Sequence, residues 1–510
     1  MTRTLIGFDY TNTPCVKITK GNFDPKTTPD AEREKFLFSS KWANLVSPIS
    51  MEVQNFASSP AGLSYQPSGA GPTNFTRARY RFTTSAGVRI SYYYRSSRFT
   101  DLRYDMPLTA VIWKNPAGRF AGSRVQQSRG GQSGPNGKGG YYATGNAREA
   151  GWMNNVQTYL DGNVQATMTY GTAVSCSDND TQRDVADDTM EKRLIVFNLP
   201  GNNVPLDGPT TVPDPAGKLA IQISSTQTRV AKPGFDVRTA APSQIAFDAN
   251  NRAIRVIAAN DIAIPAGISS FNLGVSIPEE AFALVHFYEG STITYPGSGY
   301  LRQFGADYWF TGTNINFDST DTCRARFIVL AYDNSPPTSG TNRVFRNFVE
   351  NGEYVVQFLR PGASANPSFA DIVLDSRWPV LQILREGYLN VSSGVSTQTI
   401  NYDATGFFPF IIYATNHGAG TSNVGGFVQL NFSSRVRMPF VKAVIGLGSL
   451  ENSYAGDCTY VRYNTSSATF YTYRGRPVDS RWRPSDDAYE FESDDNPITG
   501  IRYYVLGIPT

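Results

Sequence analysis

Histidine is the scarcest reactive side chain in these 510 residues, with two copies. His286 lies inside the apolar run Ala281 to Tyr288, and His417 lies in the turn-like Thr415-Asn416-His417-Gly418-Ala419-Gly420. A Ser-His-Asp or Cys-His device needs its base beside its nucleophile. Neither histidine has such a motif around it, and no GxSxG, HExxH or GxxxxGK[ST] pattern occurs. Both are expected to be structural. Cys15, Cys176, Cys323 and Cys458 stand singly, with no CxxC, so their spacing makes no zinc site. They are expected as reduced thiols in strands or loops, and spacing does not decide whether any of them pair.

Carboxylates offer little more. Asp178-Asn179-Asp180-Thr181-Gln182-Arg183-Asp184 begins like a calcium loop but lacks the glycine at position six and the glutamate at position twelve. Asp486-Asp487 and Asp494-Asp495 read as solvated loop residues. A glycosidase needs two carboxylates facing across a cleft, and nothing nominates such a pair. The expectation is no catalytic residue, no cofactor and no metal. The glycine-rich stretch holding Gly130, Gly131, Gly134, Gly137, Gly139 and Gly140 lacks the strand and helix start of a phosphate loop, and Lys138 does not fit one. It reads as a flexible loop or an inter-subunit arm. Tyr92-Tyr93-Tyr94, Tyr141-Tyr142 and Tyr503-Tyr504 would alternate faces in a strand. One ring of each set is therefore expected outside, more for a subunit interface than for a sugar.

Composition says which elements must carry these residues. Charged residues make up 17% of the chain, below the roughly 25% of an average globular protein. Glycine (45), tyrosine (28) and phenylalanine (31) are plentiful. Aromatic residues suit a pleated surface, and glycine suits tight turns, so strands are expected over helices. A net charge of +3 gives no argument for nucleic acid. No apolar run reaches the roughly 18 residues of a membrane span. The N-terminus meets Asp9 before any apolar signal region, so synthesis and folding in a cytoplasm are expected.

The strongest pattern is repetition. Lys232-Pro233-Gly234-Phe235-Asp236-Val237 leads to Ile245-Ala246-Phe247-Asp248. Lys20-Gly21-Asn22-Phe23-Asp24 leads to Phe36-Leu37-Phe38-Ser39-Ser40, and Arg360-Pro361-Gly362 leads to Ile372-Val373-Leu374-Asp375-Ser376. After each of these opening motifs comes a buried run, with Phe247 to Leu284 and Leu374 to Ile411 both 37 residues apart by subtraction. The first interval, Phe38 to Val111, is 73, which implies an insertion of about one hairpin pair. Each unit closes on an arginine followed by apolar residues, at Arg193, Arg326 and Arg502.

These anchors predict an all-β chain of three tandem antiparallel β-sandwich-like modules. The first occupies 1–205 and carries the insertion and the glycine-rich arm. A Pro/Gly/Asp linker follows at 206–217, the second module at 218–332, a second linker at 333–341, and the third module at 342–510. The repeated motif Lys232, Pro233, Gly234, Phe235 and Asp236 is expected to be the turn that opens a module. Function is expected in what differs between modules, namely the glycine-rich arm and the loops of the third.

The Lys-Pro-Gly-aromatic-Asp-Val segment before an apolar strand such as Phe36-Leu37-Phe38-Ser39-Ser40 resembles structural proteins of tailed-bacteriophage virions. The match covers the frame of all three units. It departs at Gly21-Asn22 and at Ala363-Ser364-Ala365. The resemblance implies a non-enzymatic tail-tip, tail-fibre or fibre-anchoring protein that mediates virion assembly, with other tail proteins as partners. The resemblance also implies a homo-oligomer, most often a trimer in this class, and low charge with many aromatic rings and a glycine-rich arm leads independently to the expectation of a multimer. Alternatives are a receptor-recognition protein that binds a host glycan or surface protein and, less favoured, a virion-associated glycan hydrolase.

Overall fold

The chain is described from a computed structural model, which covers residues 2–42, 118–120, 217–240, 244–249, 254–296, 306–319, 322–331, 344–368, 371–378, 380–392, 394–417, 458–474 and 498–510, together with the strands named below. It is all-β, and among the described residues the helical content is 3-10 only: the segment Arg33–Lys35 and the single positions Gln244 and Asp371.

The first unit holds β1 (Arg3–Phe8), β2 (Pro14–Thr19), β3 (Phe36–Ser39), β4 (Ser47–Gln54), β5 (Ser64–Gln66), β6 (Phe75–Thr84), β7 (Gly87–Ser96), β8 (Thr109–Lys114), β9 (Gln126–Arg129), β10 (Asn155–Leu160), β11 (Ala166–Thr172) and β12 (Glu191–Asn198). The second holds β13 (Ile221–Ile223), β14 (Thr228–Ala231), β15 (Ile245–Asp248), β16 (Arg255–Ile264), β17 (Gly267–Asn272), β18 (Ala281–Tyr288), β19 (Ile293–Tyr295), β20 (Ser298–Gly299), β21 (Arg302–Gln303), β22 (Ala306–Thr311), β23 (Asn314–Ser319) and β24 (Cys323–Ala331). The third begins with β25 (Phe345–Glu350), β26 (Glu353–Leu359), β27 (Ile372–Asp375), β28 (Gln382–Asn390), β29 (Gly394–Asn401) and β30 (Phe407–His417). It continues through β31 (Gly420–Val424), β32 (Val428–Phe432), β33 (Ser434–Arg437), β34 (Lys442–Ile445), β35 (Asn452–Tyr454), β36 (Cys458–Tyr463), β37 (Ser467–Arg474), β38 (Val478–Arg483), β39 (Ala488–Ser493) and β40 (Ile498–Pro509).

Each opening motif lies in a three-stranded antiparallel sheet: β1-β2-β3, β13-β14-β15 and β25-β26-β27. The same bulge interrupts all three of these opening sheets. Ile18 and Thr19 face Phe38 and Phe36, Val230 and Ala231 face Phe247 and Ile245, and Phe358 and Leu359 face Leu374 and Ile372. A one-residue bulge adds local twist to a sheet. Here it recurs at the residue before the opening turn, so it belongs to the repeated design.

Each unit also pairs three strands in the order first, last, middle: β4-β12-β8, β16-β24-β18 and β28-β40-β30, the last being one end of a nine-stranded sheet that runs on through β33 to β10, β11, β7, β6 and β5. Each carries a bulge on its first strand, with Ile49, Ile257 and Leu384 as the extra residues. This register makes Arg193, Arg326 and Arg502 equivalent, as their sequence context suggested. It also makes Leu284 equivalent to Ile412, one residue past the Ile411 that equal spacing selects. A third set of sheets contains β7-β11-β10, β17-β23-β22 and β29-β37-β36. In the first unit, β5 and β6 extend this sheet beyond β7, and they account for part of its extra length.

The units contact one another in a cycle. Phe120, in the first unit, bridges to Tyr308 on β22. β19, in the second, pairs with β36 of the third. β33, in the third, pairs with β10 of the first and closes the ring. Side chains at one register position follow the same rule. Arg255 of the second unit donates to the carbonyl of Ile372 in the third opening sheet at 3.1 Å, and Gln382 of the third donates to that of Leu37 in the first at 2.9 Å. The three opening sheets share one core through Phe38, Phe247 and Phe358, with centroids 6.5 Å and 5.2 Å apart.

β40 explains a departure from the sequence expectation. Tyr503 and Tyr504 do alternate faces, yet both are buried. Tyr503 packs with Val461 and Phe470 inside the third unit, and Tyr504 packs in the cluster shared with the second unit. A central strand covered on both faces has no outward side. Tyr92-Tyr93-Tyr94 lie on β7, where only the backbone is described, and Tyr141-Tyr142 lie outside the described residues.

Candidate functional site

Local chemistry shapes the opening turns. In the second unit the amide of Phe235 donates to the carbonyl of Lys232, and Gly234 has φ +87° after Pro233. Proline first and a positive-φ glycine second is the pattern of a type II turn. The third unit repeats it, with Ala363 bonded to Arg360 and Gly362 at φ +85°. In the first unit Phe23 bonds to Lys20, but the positive φ falls one residue earlier, at Gly21 (+51°). That is the sign pattern of a type II′ turn, so Gly21-Asn22 replaces Pro-Gly by reversing the turn.

The following residue anchors the loop. Asp24 and Asp236 each accept from the amide two residues on, Lys26 at 2.8 Å and Arg238 at 2.9 Å. In the third unit Ser364 does the same for Asn366 at 3.0 Å. The sequence departure at Ala363-Ser364-Ala365 therefore keeps the turn, with a hydroxyl standing in for a carboxylate. The amides of Lys20, Lys232 and Arg360 bond back to Lys35, Gln244 and Asp371, closing each loop at its base.

Of the residues in the expected motif, Lys232 is drawn inward. Burial brings its ammonium down to about 8, with Glu386 opposing that shift. Asp236 is held low by hydrogen bonds from Arg238. Phe235 is exposed, as is its counterpart Phe23. This exposure is part of a wider pattern. Nine of the ten exposed large hydrophobic side chains among the described residues lie in or beside the opening sheets. Ile6, Phe8, Tyr10 and Phe23 belong to the first, Leu219, Ile223 and Phe235 to the second, and Val349 and Tyr354 to the third. Ile268 is the tenth. Scattered apolar residues on a surface are ordinary, whereas here they are concentrated on the repeated opening sheets.

The first opening sheet contains a buried ionic cluster that sequence reading missed. Lys17 sits 2.7 Å from both Asp9 and Asp30, and Lys41 contacts the same two carboxylates. All four side chains are essentially inaccessible. Strand register explains it. It places Arg229 opposite Asp248 and Gln357 opposite Asp375, and both pairs are in contact. The residue opposite Lys17 is Ser39, so the first sheet takes its carboxylates from Asp9 and Asp30 instead.

His286 is fully buried where the second and third units meet. Tyr295 and Phe410 stack on its two sides at 3.8 and 3.9 Å, and Nδ1 shares a 2.8 Å hydrogen bond with the Tyr463 hydroxyl. Burial, and then the charge of Arg326, hold it well below its ordinary range. Arg326 itself lies 3.6 Å over Phe408, donates to the Pro409 carbonyl and pairs with Asp261. These groups lock two units together. Cys15 and Cys323 are buried and form no disulfide among the described residues. The glycine arm Gly130 to Gly140, Cys176 and the acidic runs at 178–188, 486–487 and 494–495 lie outside the described residues, as do the side chains of His417 and Cys458. No family model, curated protein or solved structure matches the chain.

Proposed function

We propose that the chain is a non-enzymatic structural component of a bacteriophage tail whose layer of opening sheets docks onto a neighbouring virion protein. The observation that carries this is the concentration of exposed apolar side chains on those three sheets. The resemblance of the repeated motif supplies the virion context. We read each unit as a sandwich-like module. The order first-sixth-third against second-fifth-fourth is that of a jelly roll lacking two strands, an architecture used in virus capsid and lectin domains. That is an analogy of fold, not of site. The cyclic contacts favour a chain that supplies within itself the threefold arrangement expected of a homotrimer.

The test is incorporation into particles. A triple variant, Phe8→Ser, Ile223→Ser and Val349→Ser, changes one exposed residue per opening sheet. It is expected to fold with a Tm near that of the parent chain yet to be missing from purified particles when expressed in place of it. Normal incorporation of the folded variant would overturn docking through this layer. Absence of the parent chain from the particles would overturn the virion assignment.

A further inference from the structure

Three equivalent strands stand at the outer side of the third set of sheets: β7, β17 and β29. In the first unit that side is occupied, because β6 pairs with β7 over ten residues. In the second unit β17 has β23 on one side and, among the described residues, no strand on the other. An open edge presents unpaired amides and carbonyls, and proteins usually guard it with lysine, proline or another charge. β17 has none of these: its sequence is Gly267-Ile268-Ser269-Ser270-Phe271-Asn272. Ile268 on it is 66% exposed, the highest value among the exposed large hydrophobic side chains and the one outside the opening sheets.

We propose that β17 is a self-association site that pairs antiparallel with β17 of a second copy of this chain. An uncharged strand meets its own copy without like-charge repulsion. Antiparallel pairing requires a twofold axis perpendicular to the sheet, which keeps inner face with inner face. Opposed residues must then lie on the same face, so the axis passes through a residue rather than between two. Ser269 meets a second requirement. Its hydroxyl is shielded from solvent and has no hydrogen-bond partner among the described residues. With the axis at Ser269, the two Ser269 side chains stand directly opposite, at the roughly 4.5–5.5 Å Cβ separation of cross-strand neighbours, and a change of χ1 turns each hydroxyl out of its shielded position onto the other. Ile268 then falls opposite Ser270 of the second copy. The pairing of β6 on β7 is the same event completed within one chain.

Pairing through β17 is independent of docking through the opening sheets. Two measurements on the full chain test it. Sedimentation from about 5 to about 100 µM is expected to show a reversible species of twice the 56.0 kDa chain mass. Ile268→Lys is expected to remain monomeric with an unchanged Tm, while Phe8→Ser in the first opening sheet still dimerises. Ser269→Cys is expected to form a disulfide-linked dimer on mild oxidation that the parent chain does not form. A parent chain that stays monomeric throughout, an Ile268→Lys chain that still dimerises, or a Ser269→Cys chain that does not cross-link would each overturn the proposal.

Discussion

At the scale of single residues, the buried cluster of Asp9, Asp30, Lys17 and Lys41 has the most at stake. Two ammoniums and two carboxylates cancel, and Thr11 adds a hydroxyl donor to Asp9. A closed buried network contributes little compared with apolar packing, but removing one member leaves a charge unpaired, at a cost of about 3–5 kcal/mol. Asp30→Asn is therefore expected to destabilise the chain by about that much in chemical denaturation. A change under about 1 kcal/mol would mean that water reaches the cluster. Asp9 sets an acid limit. Burial would raise the Asp9 carboxyl, but hydrogen bonds from Lys17, Thr11 and Lys41 outweigh it and hold it well below its ordinary range. A carboxyl depressed in the folded state gives stability that is present above its unfolded value near 4 and is lost as pH falls below it. The parent chain should lose Tm below about pH 4, and Asp9→Asn should lose less over that interval, from a lower start.

At the scale of elements, glycine separates two kinds of constraint. Gly234 (φ +87°) is required by its turn. Gly234→Ala is expected to cost about 1 kcal/mol, and Gly234→Asn less, since asparagine tolerates the left-handed region. Gly406 has φ +75°, and a Cβ there would lie 2.0 Å from the Glu34 Cβ and 2.5 Å from its Cα. The third unit meets the first opening sheet at that point. Gly406→Ala must displace backbone and is expected to cost more than Gly234→Ala. Equal losses in denaturation would show that the Glu34 segment yields freely. The two constraints were not equally legible in the sequence. Pro233-Gly234 announces its turn because proline and glycine fix and free single dihedrals, and Ala281 to Tyr288 announces its strand because an apolar run of that length fits one. The Glu34 contact joins residues 372 apart by subtraction, and local propensity carries no trace of it. The bulges were hidden for a related reason. Ile257 and Leu384 are ordinary apolar strand residues, and only their partners' register reveals the extra one.

At the scale of the whole molecule, the units are joined by buried polar groups as well as apolar ones, so pH acts on how they fit. Glu386 on β28 pairs in register with Tyr504, which faces the cluster shared with the second unit. Burial pushes the Glu386 carboxyl up to about 8, with Tyr504, Arg502 and Lys232 pulling the other way. Lys232, from the second opening turn, comes down to about 8 through burial. For Glu386 the folded value lies above the unfolded one, near 4.5. Its contribution is intact below 4.5, and it falls as pH rises to about 8, because the unfolded chain releases a proton that the folded chain retains. The slope is about 1.4 kcal/mol per pH unit. For Lys232 the folded value lies below the unfolded one, near 10.5. Its penalty is complete below about 8 and fades between 8 and 10.5. Together the two groups place a minimum in their share of stability near pH 8. Glu386→Gln is expected to remove the descending limb between about pH 5 and 8, and Lys232→Met the rising limb above 8. Tm measured from about pH 5 to 10.5 for the three chains decides it. A descending limb that survives in Glu386→Gln would place the responsible group elsewhere, and a parent chain flat across the range would mean that the junction of the second and third units opens to water before either group titrates.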